Sequence, residues 1–412
     1  MVNDELNMVV PEDWNIKHLD DFGYIASGGT PSTSVPSYWN GMIPWCTPTD
    51  ITGTEGIIIS KTEKCITEDG LKNSSADVLP SGSLLLCTRA TIGDSKINSI
   101  PMATNQGFKN VIPFKDTCIK YLYYLLQTKK REMLEKATAS TFAEISKSAL
   151  CEIPLQAPEK QEQEQIAQVL FDIDALITDL QKLIQKKKNI RQGTMQMLVV
   201  TGKKRLDGFS GEWVKINLAK NSRLKARIGW QGLTTAEYLD EGYSYLITGT
   251  DFKDGRIEWN GCHYVDYDRY AQDPNIQVSN GDLLLTKDGT IGKVAFVTDL
   301  KRPATLNSGV FLVKPITDVY TAHFMFYVLE SSVFKDFLQQ LSAGSTINHL
   351  YQKDLVKFDL YVPPTKEEQE AIAGILFDMD SDIYKLEEKL SKYQKIKQGM
   401  MEELLTGKVR LI

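Results

Sequence analysis

The residues of this 412-residue chain whose types suit chemistry are cationic and amide side chains gathered in two stretches. Lys215, Lys220, Arg223, Lys225 and Arg227 crowd together and run into Trp230 and Gln231. Earlier, Lys72, Asn73, Arg89, Asn105, Gln106 and Lys109 form a looser set. Lysine and arginine neutralise phosphates, and arginine, asparagine and glutamine make paired hydrogen bonds to base edges. The chemistry on offer is therefore recognition of nucleic acid. The net charge is −6 and the pI about 5.5, which argues against a generic nucleic-acid coat protein. A DNA-binding reading has to rest on these local patches, or on partners that supply charge.

Catalytic chemistry finds no comparable support. No serine-, cysteine- or carboxylate-based signature stands out. Gly289-Thr290-Ile291-Gly292-Lys293, followed by Val294, lacks the spacing of a phosphate loop and reads as a turn between strands. Ser27-Gly28-Gly29-Thr30 is not the glycine pattern of a dinucleotide or S-adenosylmethionine site. The Asn/Asp-Pro-Pro-aromatic motif of adenine-N6 methyltransferases is missing too. Cys46, Cys65, Cys87, Cys118, Cys151 and Cys262 are scattered, with no CxxC pair and no histidine at zinc spacing. They are expected to be reduced structural thiols, and no metal site is expected. The paired acids Asp172 with Asp174, and Asp378 with Asp380, read as solvated faces or subunit contacts.

What must position the polar clusters is a stretch that occurs twice. Glu162-Gln163-Glu164-Gln165-Ile166-Ala167 returns as Glu368-Gln369-Glu370-Ala371-Ile372-Ala373, and Phe171-Asp172 as Phe377-Asp378, at a constant offset of 372 − 166 = 206. Past Gln192-Gly193 and Gln398-Gly399 the first copy carries one extra residue before Thr201-Gly202-Lys203 matches Thr406-Gly407-Lys408. Ile166, Leu170, Ile173, Ile177, Leu180 and Ile184 alternate by four and three, as do Ile372, Leu376, Met379, Ile383, Leu386 and Leu390. That spacing is an a/d seam and predicts two long helices that pair. Pro158 and Pro364 suit a first helical turn, and Gly202 and Gly407 suit a C-terminal cap. About 40 residues at ~1.5 Å each make a rod of roughly 60 Å.

The duplication extends into the segments before each rod. Ser81-Gly82-Ser83-Leu84-Leu85-Leu86 with Thr91-Ile92-Gly93 answers to Asn280-Gly281-Asp282-Leu283-Leu284-Leu285 with Thr290-Ile291-Gly292. Asn105-Gln106-Gly107 answers to Asn307-Ser308-Gly309, and Trp14 to Trp213. Each block reads as a glycine turn around a short buried strand. The expected fold is mixed α+β. Two globular domains at 1–155 and 207–361 alternate with helical spacers at 156–206 and 362–412. Antiparallel pairing of the rods would bring the C-terminus back beside the N-terminus, a pseudo-twofold cyclic arrangement. Length also favours several domains. Hydrophobic content of 42% and charge of 24% are globular values. No apolar run approaches the ~20 residues of a membrane span, and the first residues have no signal-peptide character, so a cytoplasmic protein is expected.

Taken jointly, Gly29-Thr30-Pro31-Ser32 with Tyr38-Trp39-Asn40-Gly41, Trp45 with Asp50-Ile51, the Leu-Leu-Leu blocks, the Glu-Gln-Glu-x-Ile-Ala repeats and the Lys-Gln-Gly-Met-Met ending resemble the specificity subunit of type I restriction–modification enzymes. The resemblance spans essentially the whole chain; the second domain departs from it by lacking the Gly-Thr-Pro-Ser and Tyr-Trp segment. It implies a non-catalytic subunit whose two target-recognition domains each read one half of an interrupted, asymmetric DNA site. It implies paired helices that set the gap and hold two modification subunits, with restriction subunits joining them. S-adenosylmethionine, ATP and magnesium would sit on those partners, none on this chain.

On that reading the candidate DNA contacts are Thr30, Ser32, Arg89, Thr91 and Gln106 in the first domain. In the second they are Arg227, Trp230, Gln231, Lys287 and Thr290. The rival reading is a coiled-coil scaffold whose end domains bind protein or small ligands. The DNA sequence read, the gap length, and whether the lone chain is a monomer or a homodimer stay open.

Overall fold

A computed structural model of the chain describes residues 11–137, 143–202, 204–228, 232–342 and 349–411. It divides into two compact units, Met1–Ile184 with Leu386–Ile412, and Gln185–Lys385. Each unit holds one mixed domain together with part of both long helices.

In the first unit, Leu84–Cys87 runs through the middle of a five-stranded sheet. The strand order is Gly23–Ser27, Phe108–Pro113, Leu84–Cys87, Ser95–Asn98, Ile58–Ile59. An uninterrupted apolar run suits a strand buried on both faces, and all four of its residues are buried. A second sheet orders Lys64–Ile66, Trp39–Cys46 and Ala103–Thr104, the last pair being parallel. Helix Ile119–Thr128 covers the larger sheet with Tyr121, Leu122, Tyr124 and Leu125. Strand Asn15–Lys17 pairs antiparallel with Leu155–Ala157 and ties the entry of the domain to its exit.

The second unit repeats the plan. Its four-stranded sheet orders Ser222–Lys225, Val310–Pro315, Leu283–Thr286 and Val294–Phe296. Its three-stranded sheet orders His263–Val265, Ser244–Ile247 and Ala304–Leu306. Val214–Asn217 pairs with Asp359–Val362 as the matching entry–exit tie.

The predicted rods are helices Lys160–Met195 and Lys366–Leu404. Seam residues Ile166, Leu170, Ile177, Leu180, Ile184, Ile372, Leu376 and Ile383 are buried, and Ile173, Met379, Leu386 and Leu390 partly so. The seam is not given over to helix pairing alone. Ile166 and Leu170 join the first domain's core with Leu404 and Leu405, and Ile372 and Leu376 join the second domain's core with Met195, Leu198 and Val199. Within each unit the helices run antiparallel. Lys397 pairs with Asp174 (2.6 Å) and Arg410 with Glu162 (2.7 Å) in the first; Lys187 with Asp382 (2.9 Å) and Arg191 with Asp380 (2.8 Å) in the second.

The extra residue of the first copy is absorbed by a π-helical turn, Gln196–Val200, whereas the second helix runs to Leu404 without one. A π-turn adds one residue without breaking the helix, so both copies reach the same glycine cap. Gly202 and Gly407 have φ of +56° and +72°. A Cβ on Gly202 would press on the Trp213 ring, and one on Gly407 on Pro11 and Trp14. The chain's C-terminal residues thus return to Trp14 within the first unit.

The repeated Glu-Gln pair does more than favour a helix start. Gln163 donates to the Pro158 carbonyl and accepts from the Cys118 N–H; Gln369 donates to Pro363 and accepts from Thr321. Glu162 binds Arg410, and the fully buried Glu368 binds Arg205 through both oxygens at 2.5 Å. Asp174 and Asp380, expected to be solvated or to face a partner, are intramolecular anchors. Asp174 accepts from Tyr124 (2.8 Å) and Lys397; Asp380 accepts from Tyr327 (3.0 Å) and Arg191.

Candidate nucleic-acid interface

Each domain gathers three segments at the end of its central strand. In the first, the turn after Leu84–Cys87 is bracketed from both sides. Thr88 N–H donates to the Gly107 carbonyl (2.8 Å), and Ile145 N–H donates to the Thr88 carbonyl (3.1 Å). Gly107 N–H is fixed by Asn105 Oδ1 at 2.9 Å, which closes the Asn-Gln-Gly turn. These bonds set Arg89 beside Glu144 in an isolated antiparallel bridge, with Nη2 2.7 Å from Oε2. The loop from Ser27 lies against the same turn. Gly29 N–H bonds Thr104 O (2.9 Å), a Cβ on Gly28 would collide with the Asn105 carbonyl, and Thr30 Oγ1 donates to Gln106 Oε1. Trp45 Nε1 donates to Gly29 O (2.9 Å) and Trp39 Nε1 to Ser32 O (3.1 Å), so the edge-to-face tryptophan pair holds this loop from behind.

The second domain builds the equivalent turn on the same backbone bonds. Lys287 N–H donates to Gly309 O and Leu350 N–H to Lys287 O, both at 2.8 Å, and Gly309 N–H to Asn307 Oδ1 at 2.9 Å. Here the bridge pairs Asp288 with His349, whose Nδ1 contacts Asp288 Oδ1. Lys287 Nζ lies 3.4 Å from His349 Nε2 and 5.4 Å from the centre of the Phe311 ring. On the neighbouring edge strand, Arg223 and Lys225 alternate outward between the buried Ser222 and Leu224.

Among the described residues the buried cysteines are not activated. The Cys87 and Cys262 thiols are each pushed up to about 12 by burial, and Cys46 higher still, the opposite of an activated nucleophile. Among the described residues no group of three or more His, Cys, Asp or Glu side chains is placed to hold a metal ion.

Two mirrored, non-catalytic polar turns on duplicated domains agree with the sequence comparison. Residues 11–192 and 233–398 match the family model for the type I restriction modification DNA specificity domain. The chain belongs to the type I restriction–modification DNA specificity family. It is 43% identical over 175 residues to the type I restriction enzyme MjaIX specificity subunit of Methanocaldococcus jannaschii, covering 42% of this chain and 40% of that relative. It is 25% identical over 418 residues to the MjaVIII specificity subunit of the same organism, covering 98% and 94%. The crystal structure of the type I restriction–modification S subunit from M. genitalium matches 97% of each chain with a TM-score of 0.64 at 15% identity, a likeness of fold. Members of this family are the non-catalytic subunits of type I restriction enzymes, whose catalytic activities lie in other subunits.

Within the family's two specificity domains, the expected contacts separate. Thr30, Arg89 and Gln106 come together on one surface, with Ser32 exposed nearby and its hydroxyl 2.8 Å from that of Ser34. Thr91 does not join them, because its hydroxyl is enclosed beside the Cys87 thiol. Thr290 is exposed, while Lys287 is drawn in, its side chain 12% exposed.

Arg227, expected at the surface, is 2% exposed. Its Nε donates to the Leu306 carbonyl (2.9 Å) and its Nη2 to Thr305 Oγ1 (3.3 Å), and burial draws its pKa down. It takes the place of Gly28 and braces the strand that leads into the Asn307 turn, as Gly29 N–H does on Thr104. Trp230 and Gln231 lie outside the described residues. The sequence reading missed Glu144, Asp288 and His349. The offset of 288 − 89 = 199 that aligns the strand blocks pointed to Asp288. No local signal pointed to the other two, which follow stretches where the domains diverge.

Proposed function

We propose that this chain is the DNA-reading subunit of a type I restriction–modification complex, with one half of a bipartite site read by each domain. The observation that carries the reading is the recurrence of one turn scaffold in both domains with different side chains on it. A shared scaffold with divergent tips is what two recognition tasks on one duplex require. Thr30, Ser32, Arg89 and Gln106 are the contacts of the first domain, with Lys287 and Thr290 those of the second. Arg223 and Lys225 are placed for phosphates. The paired helices space the domains and dock two modification subunits, joined by restriction subunits; the exposed Leu176 and Leu183 on the first helix support such docking. Asp382 serves it less well, being bound to Lys187. S-adenosylmethionine, ATP and magnesium belong to the partners, and the complex works in the cytoplasm; no helix among the described residues is long and apolar enough to cross a membrane.

The test is mapping of methylated adenine by single-molecule sequencing in cells that express this chain with its modification subunit. A two-part motif that disappears without this chain supports the reading. A stable complex that yields no new motif overturns it in favour of the scaffold alternative. In binding assays, Arg89→Ala should relax one base position, whereas Lys225→Ala should weaken all sequences alike and flatten the salt dependence.

A further inference from the structure

The backbone bonds that frame the two turns put four residues in strictly corresponding places. Thr88 and Lys287 each donate to the glycine of the Asn-x-Gly turn and accept from the returning segment. One residue further on, Arg89 bridges Glu144 and Asp288 bridges His349. All four side chains are neither buried nor free, at 43% and 32% exposure in the first pair and 36% and 30% in the second. The polarity is reversed. The residue on the turn is a cation in the first domain and an anion in the second, and the residue on the returning segment is its contact partner each time.

We infer that these two dyads set base specificity, Glu144 and His349 acting as positioning residues for the turn side chains they hold. This inference rests on the DNA-reading role proposed above. Glu144 fixes one arm of the Arg89 guanidinium, which aims its other N–H donors in a defined direction. A planar fork of donors matches the two acceptors on the major-groove edge of guanine. In the second domain, His349 Nδ1–H holds one oxygen of Asp288, and the carboxylate is left as an acceptor facing outward. An acceptor at that position selects an exocyclic amino group and repels the acceptor edge of guanine. Lys287 supports the arrangement from inside, with its ammonium near His349 Nε2, its Nζ 3.8 Å from Asp288 Oδ2 and Phe311 beneath it. The first domain therefore reads a guanine through Arg89, and the second reads a base bearing an amino group through Asp288.

The experiment is adenine-methylation mapping of the assembled complex carrying Arg89→Ala, Glu144→Gln, Asp288→Asn or His349→Gln, with complex formation followed by size-exclusion chromatography. Arg89→Ala and Glu144→Gln should relax one position in one half-site. Asp288→Asn and His349→Gln should relax one position in the other. In each case the remaining half should be unchanged, with methylation at sites differing at that one base rising about 5- to 150-fold. An intact complex with an unaltered motif in all four variants overturns the inference while leaving the DNA-reading role standing. Relaxation of both half-sites by one dyad, or loss of the complex in Asp288→Asn and His349→Gln, also overturns it, because the dyad would then be a structural brace. A wild-type complex with no two-part motif removes the underlying role itself.

Discussion

The two domains are alike where they grip the long helices and unlike at their turn tips. At the grip, Arg410 with Glu162 corresponds to Arg205 with Glu368, and Tyr124–Asp174–Lys397 corresponds to Tyr327–Asp380–Arg191. At the tips, Arg89–Glu144 corresponds to Asp288–His349, the turn residue being a cation in one and an anion in the other. A part-buried ion pair on the helices is confined by the helix geometry both copies share, so its residue types persist. A half-exposed dyad is confined only by its own backbone frame and by whatever it binds, so its polarity can reverse while the fold stays the same.

The largest effect should come from breaking a grip. Glu368→Ala leaves Arg205 without its buried partner and should lower stability by about 3–5 kcal/mol in urea unfolding. Glu162→Ala should lower it as well; if it has no measurable effect, the two grips are not equivalent. Next comes the seam. Ile177→Ala and Ile383→Ala remove matched buried side chains and should each cost about 2–4 kcal/mol. A large difference between them would show that the two halves of the helix pair carry unequal loads.

The comparison also shows what the sequence could reveal. The rods were legible because alternation by four and three, twice, leaves few other structures, and the extra residue before Thr201 was visible without its π-turn being so. The grips were hidden because an acid such as Asp174 on a helix looks the same whether it meets water or Lys397. Arg227 misled because a cation buried to 2% exposure is rare, and the strand that it braces is distant in sequence. The tips were half legible. The strand-and-turn blocks align by eye, but Glu144 and His349 reach them only through non-local backbone bonds.

A smaller test separates the two grips. Arg191 binds Asp380 and also reaches Glu330, whereas Lys397 has Asp174, and Gln127 stands in the place of Glu330 and bonds Ser95. Arg191→Lys cannot span both acids and should cost about 1–2 kcal/mol, while Lys397→Arg should be close to neutral. Burial holds the Glu330 carboxyl above its usual range despite the opposing pull of Arg191. The folded chain thus keeps that proton more tightly than the unfolded one. The stability it contributes is complete below pH 4.5 and is lost as pH rises through the folded value. Glu330→Gln should therefore gain on the wild type progressively above pH 4.5 in denaturant titrations. A constant difference across that range would show that folding does not shift the Glu330 pKa.

The smallest effect tests whether a tip matters to the fold at all. Thr30 Oγ1 donates to Gln106 Oε1 at an exposed position, so Thr30→Val removes one hydrogen bond and leaves Gln106 Oε1 to water. Stability should change by no more than ~0.5–1.5 kcal/mol. Binding should change more, because the loop at Gly29 and the Asn105–Gly107 turn would no longer be locked together when DNA arrives. A Thr30→Val variant that unfolds more readily but binds DNA unchanged would place this contact with the grips, and the division between shared feet and divergent tips would then fail in the first domain.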